Sequence, residues 1–191
     1  CLTADMPFKK PDFTGMNSVQ ILSTIKSLLK KRRKEEIDDK ALSMELRDLI
    51  YMNPDTVFSR ELNALGIRHS IEWKLLIILC SLYYNEDDDM VGWHDIDPYV
   101  NELDLTVLQN GYKAENLILQ KNNIITYAEE GGLMTKEYFK ITDAVKERLF
   151  ADAEVAREKA APAISMLDAN SLAYKKLFYG PSEQRSIDTL E

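Results

Sequence analysis

The chain has 191 residues, 45% of them apolar, and a formal net charge of -8. This length and apolar content allow a packed core and exclude wholesale disorder. The longest apolar run is too short to span a bilayer, and the acidic balance disfavours bulk nucleic-acid binding, which needs cations to displace counterions.

The two cysteines, Cys1 and Cys80, provide no disulfide framework. They indicate a reducing compartment, so we expect a cytoplasmic protein without membrane association. An N-terminal cysteine is compatible with a mature lipoprotein or with a fragment. We favour the fragment, because no signal sequence and no long polar tether are visible.

Proline, glycine and weak periodicity predict an arm or linker over residues 1–17. Residues 18–66 then carry three helical patterns with apolar residues at i, i+3 and i+4. The first helix is predicted to begin at the cap Ser18. The second is predicted to begin near Asp38 or Asp39 and to stop at Asn53-Pro54. The third is predicted to run from about Thr56 to Gly66.

Residues 70–150 contain helical patterns followed by a hairpin. The cap Ser70 precedes a run over residues 71–84 that is apolar on every side and therefore predicts a buried helix. The later predicted elements are a short helix from Trp93, a helix from Asp104 that stops at Asn110-Gly111, a hairpin pairing residues 124–127 with 138–141, and a helix from Thr142. Three helices and a hairpin indicate a winged helix, a helix-turn-helix variant, although a generic α+β domain remains the alternative.

Residues 151–160 read as a helix with a weak apolar face, and Pro162 interrupts it. We therefore expect a helical linker over residues 151–191. The predicted fold class is mainly α (α+β), with a helical N-terminal extension and a winged-helix cassette containing one β-hairpin.

The charge of the predicted winged-helix cassette disfavours DNA binding. Residues 71–150 carry 15 acidic and 7 basic side chains, and the remainder of the chain is neutral. Carboxylates occupy both the start of the predicted recognition helix, residues 104–110, and the wing tip at Glu129-Glu130, where phosphates would be repelled. We therefore favour a protein partner over DNA, and a winged-helix DNA-binding transcriptional regulator is the alternative. The candidate contacts for either partner are Thr106, Gln109, Asn110, Lys113 and Lys121.

One basic cluster stands out at residues 30–34, where the first helix ends. Cations suit the negative end of a helix dipole, and Glu35-Glu36 follow as pairing partners, so a solvated helix end is the simpler interpretation. Contact with nucleic acid or an acidic partner is the alternative. Its candidate residues are Lys30, Lys31, Arg32 and Arg33.

No catalytic, cofactor-binding or metal-binding residue is predicted. The acidic run at residues 86–89 lacks the alternating ligands and central glycine of a calcium loop, so it predicts a solvated loop. His69 and His94 have no cysteine at zinc spacing, and Trp73 and Trp93 are expected to be core anchors. Neither a nucleophile elbow nor a G-x-x-x-x-G-K-[ST] phosphate loop occurs.

Several segments resemble the region upstream of the ATPase module in AAA-type ATPases of Bacteroides-like bacteria, over about residues 55–191. The segments that carry the resemblance are Phe58-Ser59-Arg60-Glu61-Leu62, Glu72-Trp73-Lys74-Leu75-Leu76, residues 86–89 through Gly92-Trp93-His94-Asp95-Ile96, and the tail Lys175-Lys176-Leu177-Phe178-Tyr179-Gly180-Pro181-Ser182-Glu183-Gln184-Arg185-Ser186-Ile187-Asp188-Thr189-Leu190.

The resemblance implies that the chain is the N-terminal part of a longer ATPase, cut before its phosphate loop. ATP and Mg would then belong to the parent protein, and no nucleotide-binding residue has a counterpart in this chain. The cassette would recruit a partner or regulate the linked ATPase domain.

Overall fold

A computed structural model describes residues 11–67, 71–130 and 133–160, without the side chains of residues 129–130, 133–136 and 160. One compact unit extends to Ala156, and a second unit begins at Arg157. The helices are α1 (Ser18–Arg33), α2 (Asp39–Tyr51), α3 (Val57–Ala64), α4 (Ile71–Glu86), α5 (Trp93–Ile96), α6 (Glu102–Lys113), α7 (Ile118–Lys121), α8 (Asp143–Leu149) and α9 (Ala151–Ala160). The strands are β1 (Val91–Gly92), β2 (Ile125–Glu130) and β3 (Leu133–Ile141), and a 3-10 turn covers Asp97–Tyr99.

The described chain is therefore mainly helical with one small antiparallel sheet, which confirms the predicted mainly α (α+β) class. Strand β3 lies in the centre, between β1 and β2, and Ile125 is paired with Ile141. The predicted hairpin is present and contains a register shift after Tyr127. Strand β1 was not predicted, because two residues are too short to show alternation. The predicted features at Ser70, His69 and the glycine turn lie outside the described residues.

The first helix begins with a different cap from the predicted Ser18. The Asn17 side chain accepts a hydrogen bond from the Gln20 amide, and the Gln20 side chain accepts one from the Asn17 amide, which forms a capping box. Ser18 is buried instead. Its Oγ accepts from the Phe58 amide at 3.2 Å and donates to Asp152 at 2.7 Å, so it joins α1 to α3 and α9.

The described end of the predicted arm, residues 11–17, is fixed to the helices. Phe13 is buried, and the Asn53 side chain donates a hydrogen bond to its carbonyl at 2.7 Å. The Asn53 side chain also accepts from the Met16 amide at 2.8 Å. The residue expected only to stop α2 therefore also holds the preceding chain in place.

Helix α4 is the centre of the core, as its uniform apolarity predicted, and every residue from Trp73 to Leu82 is buried. It packs against α1 and also approaches α6, α7 and β3. Buried residues of 18–67 and of 71–150 belong to one hydrophobic core cluster.

The predicted linker over residues 151–191 also begins inside this core. Ala153 is buried, and its carbonyl accepts a hydrogen bond from the Tyr84 hydroxyl at 3.0 Å. The preceding Phe150 is fully buried and stacks on Tyr84 with ring centroids 5.8 Å apart. The compact unit consequently ends near Ala156, several residues later than the predicted boundary.

Candidate protein interface

The helix predicted to be the recognition element is longer than expected at both ends. Asn101 is the N-cap and accepts a hydrogen bond from the Asp104 amide at 2.9 Å, so Asp104 lies in the first turn and is not the cap. The helix also continues through Asn110-Gly111 to Lys113. Glycine fits at position 111 because a Cβ there would lie 2.6 Å from Cδ2 of Leu117. Gly111, which was predicted to stop the helix, therefore lies inside α6 where the helix backbone packs closely against Leu117.

The solvent side of α6 carries two exposed apolar side chains. Leu103 is 79% exposed and Val107 is 57% exposed. Residues four apart lie one above the other on a helix, so these two side chains form a single stripe. Thr106 and Asn110 are exposed beside it. We call these four residues, Leu103, Thr106, Val107 and Asn110, the α6 face.

The structure brings only some of the predicted contact residues together. Thr106 and Asn110 belong to the α6 face, whereas Gln109 is half-buried. Lys113 is exposed in the last turn of α6 and lines a shallow cavity with Trp93. Lys121 is exposed at the end of α7 and lines a different cavity. Lys113 has helical spacing to Asn110 and Thr106 and lies on their side of α6, whereas Lys121 lies on α7.

The side chains of Thr106 and Asp104, in the first half of α6, bond to other groups of the protein. The Thr106 hydroxyl donates to the Glu102 carbonyl at 2.9 Å. Asp104 is half-buried, lies 3.7 Å from Lys74 Nζ and accepts from the Asn101 side chain at 2.8 Å. Glu102 is exposed. This end of the helix thus presents apolar groups and one free carboxylate, while the side chains of the wing-tip glutamates lie outside the described part.

Lys74 links the first turn of α6 to the N-terminal helices. Its side chain is 5% exposed, and its Nζ lies 2.7 Å from Asp39 Oδ1 on α2. The Asn101 side chain donates to Asp39 at 3.2 Å. This network fixes the position of α6 on the core.

The basic cluster lies elsewhere, at the end of α1, beside the C-terminal half of α4. Lys30, Lys31 and Arg33 are exposed, and Arg32 is half-buried. The predicted pairing with the following glutamates is limited, within the described residues, to Lys34 and Glu36 at 3.8 Å.

The acidic run at residues 86–89 is less exposed and makes more contacts than the predicted solvated loop. Asp88 and Asp89 are half-buried, and Asp89 forms an ion pair with Lys146, which is itself buried. The Asp88 side chain accepts from the Met90 amide at 3.2 Å. These carboxylates join the loop to α8 and do not form an open cation site.

Among the described residues, Cys80 and His94 do not lie in a shared reactive cluster. Burial raises the pKa of the Cys80 thiol far above its ordinary value, so it stays protonated. His94 is exposed and lies 3.1 Å from Asp95. In residues 11–67, 71–130 and 133–160, no cluster of three or more His, Cys, Asp or Glu residues could hold a metal ion.

The expected roles of the two tryptophans as packing anchors are confirmed. Trp73 is buried beside α4's other apolar residues, and Trp93 packs against Phe139 with centroids 4.8 Å apart.

In the part of the chain that the structure describes, every helix is too short or too polar to cross a membrane.

Comparisons with protein-family models, curated proteins and solved structures found no match to this chain.

Proposed function

We propose that residues 71–150 form a non-catalytic winged-helix module that binds a protein partner, in a cytoplasmic AAA-type ATPase. The element order supports the module, because α4, α5 and α6 precede the hairpin of β2 and β3. The ATPase context, with its ATP and Mg, rests on the resemblance described above. In that context the module recruits a partner or regulates the linked ATPase domain.

The α6 face is the observation that carries the choice of a protein partner. A DNA-reading helix presents hydrogen-bond donors to base edges, whereas the most exposed side chain of this face is Leu103, with Val107 one turn later, beside the polar Thr106 and Asn110. Burying side chains of this size contributes on the order of 1.5–3 kcal/mol each when the burial is complete. A protein surface can supply that burial, and a phosphate backbone cannot.

The charge of the module supports the same choice. Residues 71–150 carry eight more acidic than basic side chains, and non-specific DNA affinity depends on cations that neutralise phosphates. Lys113 and Lys121 line different cavities, and two cations are few against this excess. DNA binding through these lysines is the competing hypothesis.

A site-specific crosslinking experiment tests the protein interface. A photoreactive amino acid is introduced at Val107 in the full-length protein, with Met44 on α2, which is 52% exposed, as the matched control. We expect a discrete protein adduct from position 107, absent from position 44 and lost with Leu103→Asp. An adduct within the same polypeptide would indicate regulation of a linked domain. Equal adducts from both positions would contradict the proposal.

DNA binding is measured in parallel by anisotropy, with a labelled duplex of about 20 base pairs at low salt, where phosphate contacts are strongest. We expect no specific binding. Salt-sensitive binding that is lost in Lys113→Glu with Lys121→Glu would favour the DNA hypothesis. Circular dichroism checks that each variant is folded.

The ATPase context has a separate test in the coding sequence beyond Glu191. A G-x-x-x-x-G-K-[ST] loop within a few tens of residues would support it. A continuation without such a loop would contradict this part of the proposal and leave the α6 interface to be judged on its own data.

A further inference from the structure

A second candidate surface lies between α1 and the C-terminal half of α4. It is a groove of about 500 Å³, and four cations of α1 line it. We call it the basic groove, and its lining cations are Lys26, Lys30, Arg33 and Lys34.

Lys26, Lys30 and Arg33 lie on one side of α1 because their positions are separated by four and three residues, and Lys34 is the C-cap of the same helix. In the described part of the chain, no carboxylate lies within ion-pairing distance of Lys26, Lys30 or Arg33. Lys26 instead donates to the Asn85 carbonyl at 3.2 Å. Four cations and one carboxylate, Glu86, line the groove, so it carries a local excess of positive charge in a chain whose net charge is -8.

The groove also has an apolar component. Leu29, Leu82 and Tyr99 line it and are 3%, 5% and 7% exposed, so each contributes only a small open edge. Burial is the main cause that raises the pKa of Tyr99, so its hydroxyl is neutral beside Arg33. Lysine and arginine stems add further apolar surface below their charged ends.

We propose that the basic groove binds an acidic amphipathic helix of a partner protein. Carboxylates of that helix pair with Lys26, Lys30 and Arg33, while its apolar side chains pack on the aliphatic stems of these cations and on the small exposed edges of Leu29 and Leu82. Charge complementarity supports this occupant, and the complementary charges also accelerate association. The amphipathic helix-in-groove mode requires both features together.

A nucleic acid matches the groove less well. The lining Glu86 repels any anionic ligand, so the choice of occupant depends on packing: a phosphate backbone has no apolar side chains to place on the aliphatic stems and leucine edges that line the groove. The groove is distinct from the α6 face, because α6 joins α4 near Lys74 rather than near Leu82. This inference therefore does not depend on the proposed function.

Binding is tested on the whole 191-residue chain by anisotropy of a fluorescein-labelled peptide. The probe is a Glu- and Leu-containing amphipathic peptide of about 15 residues, close to the minimum for an isolated helix. Lys30→Glu with Arg33→Glu is expected to weaken binding at least about tenfold, because two attractive pairs become repulsive. The matched control, Lys31→Glu with Lys40→Glu, changes the net charge equally at exposed positions outside the groove. It is expected to change the affinity by less than about twofold at physiological salt.

Two further probes separate the contributions. A peptide with serine in place of leucine is expected to bind at least about fivefold more weakly, since it cannot cover the apolar surface. A DNA duplex is expected to compete poorly. Equal weakening by the control pair, equal binding of the serine peptide, preferential DNA binding, or no peptide binding at low salt would each overturn the inference. Leu103→Asp is expected to leave peptide binding unchanged, which distinguishes this site from the α6 face.

Discussion

Replacing Lys74 by methionine removes the charge that connects α2, α4 and the first turn of α6. The change keeps an unbranched apolar side chain of similar length, so the loss of packing is small. Two carboxylates remain at the site, because Lys74 Nζ lies 2.7 Å from Asp39 and 3.7 Å from Asp104. We expect both carboxylates to destabilise the fold once their shared cation is gone.

The magnitude follows from the exposure of the three side chains. Removing one partner of a fully buried ion pair costs about 3–5 kcal/mol of unfolding free energy. Asp39 and Asp104 are 22% and 29% exposed, so water reaches them, and Asn101 continues to donate to both. We therefore expect a loss of about 2–3 kcal/mol for Lys74→Met, below or at the lower end of that range. In a unit of this size the melting temperature should fall by roughly 5–10 °C.

Urea unfolding followed by tryptophan fluorescence measures this loss, because Trp73 lies one residue before Lys74 in the buried helix. A double-mutant cycle with Asp39→Asn gives the coupling energy of the pair, free of the individual substitution costs. Lys34→Met is the control, since the Lys34–Glu36 pair is exposed and such pairs contribute at most about 1 kcal/mol. A Lys74→Met variant as stable as the original protein, or a coupling energy near zero, would refute the reasoning.

Two further changes test local features of the fold. Glu35 has a φ of 59°, so Glu35→Gly should raise the unfolding free energy by about 0.5–1 kcal/mol in denaturant titrations. Glu36→Gly, at a position without positive φ, should lower it, and the same sign for both would contradict this explanation. Hydrogen bonds from Arg148 lower the pKa of Glu61 below its ordinary 4.5. The pair therefore stabilises the fold above pH 4.5, and the stability difference between the original protein and Glu61→Gln should shrink as the pH falls further. A difference independent of pH would be the contrary result.

Features determined by neighbours in sequence were predictable, and features determined by distant contacts were not. Asp38 and Thr56 cap α2 and α3 as predicted, because a cap depends on the residues of the following turn. Asn17 and Ser18 are adjacent candidates of similar propensity. The selection of Asn17 follows from the bond between Ser18 and Asp152, 134 residues later, which no local pattern reveals.

The α6 face shows the same limitation at the candidate site, although one usable signal was present. Leu108 and Tyr112 are buried four residues apart on one side of α6. Leu103 and Val107 have the same spacing but lie on nearly the opposite side of a helical projection. A second apolar stripe that the core cannot cover requires either a partner or a stability cost. A helix that begins at Asp104 does not contain Leu103, so the predicted helix lacked the Leu103–Val107 pair. The predicted contacts were therefore its polar positions, Thr106, Gln109 and Asn110. The misplaced N-cap of α6 removed an apolar side chain from the predicted exposed face, because the residues on such a face depend on where the helix begins.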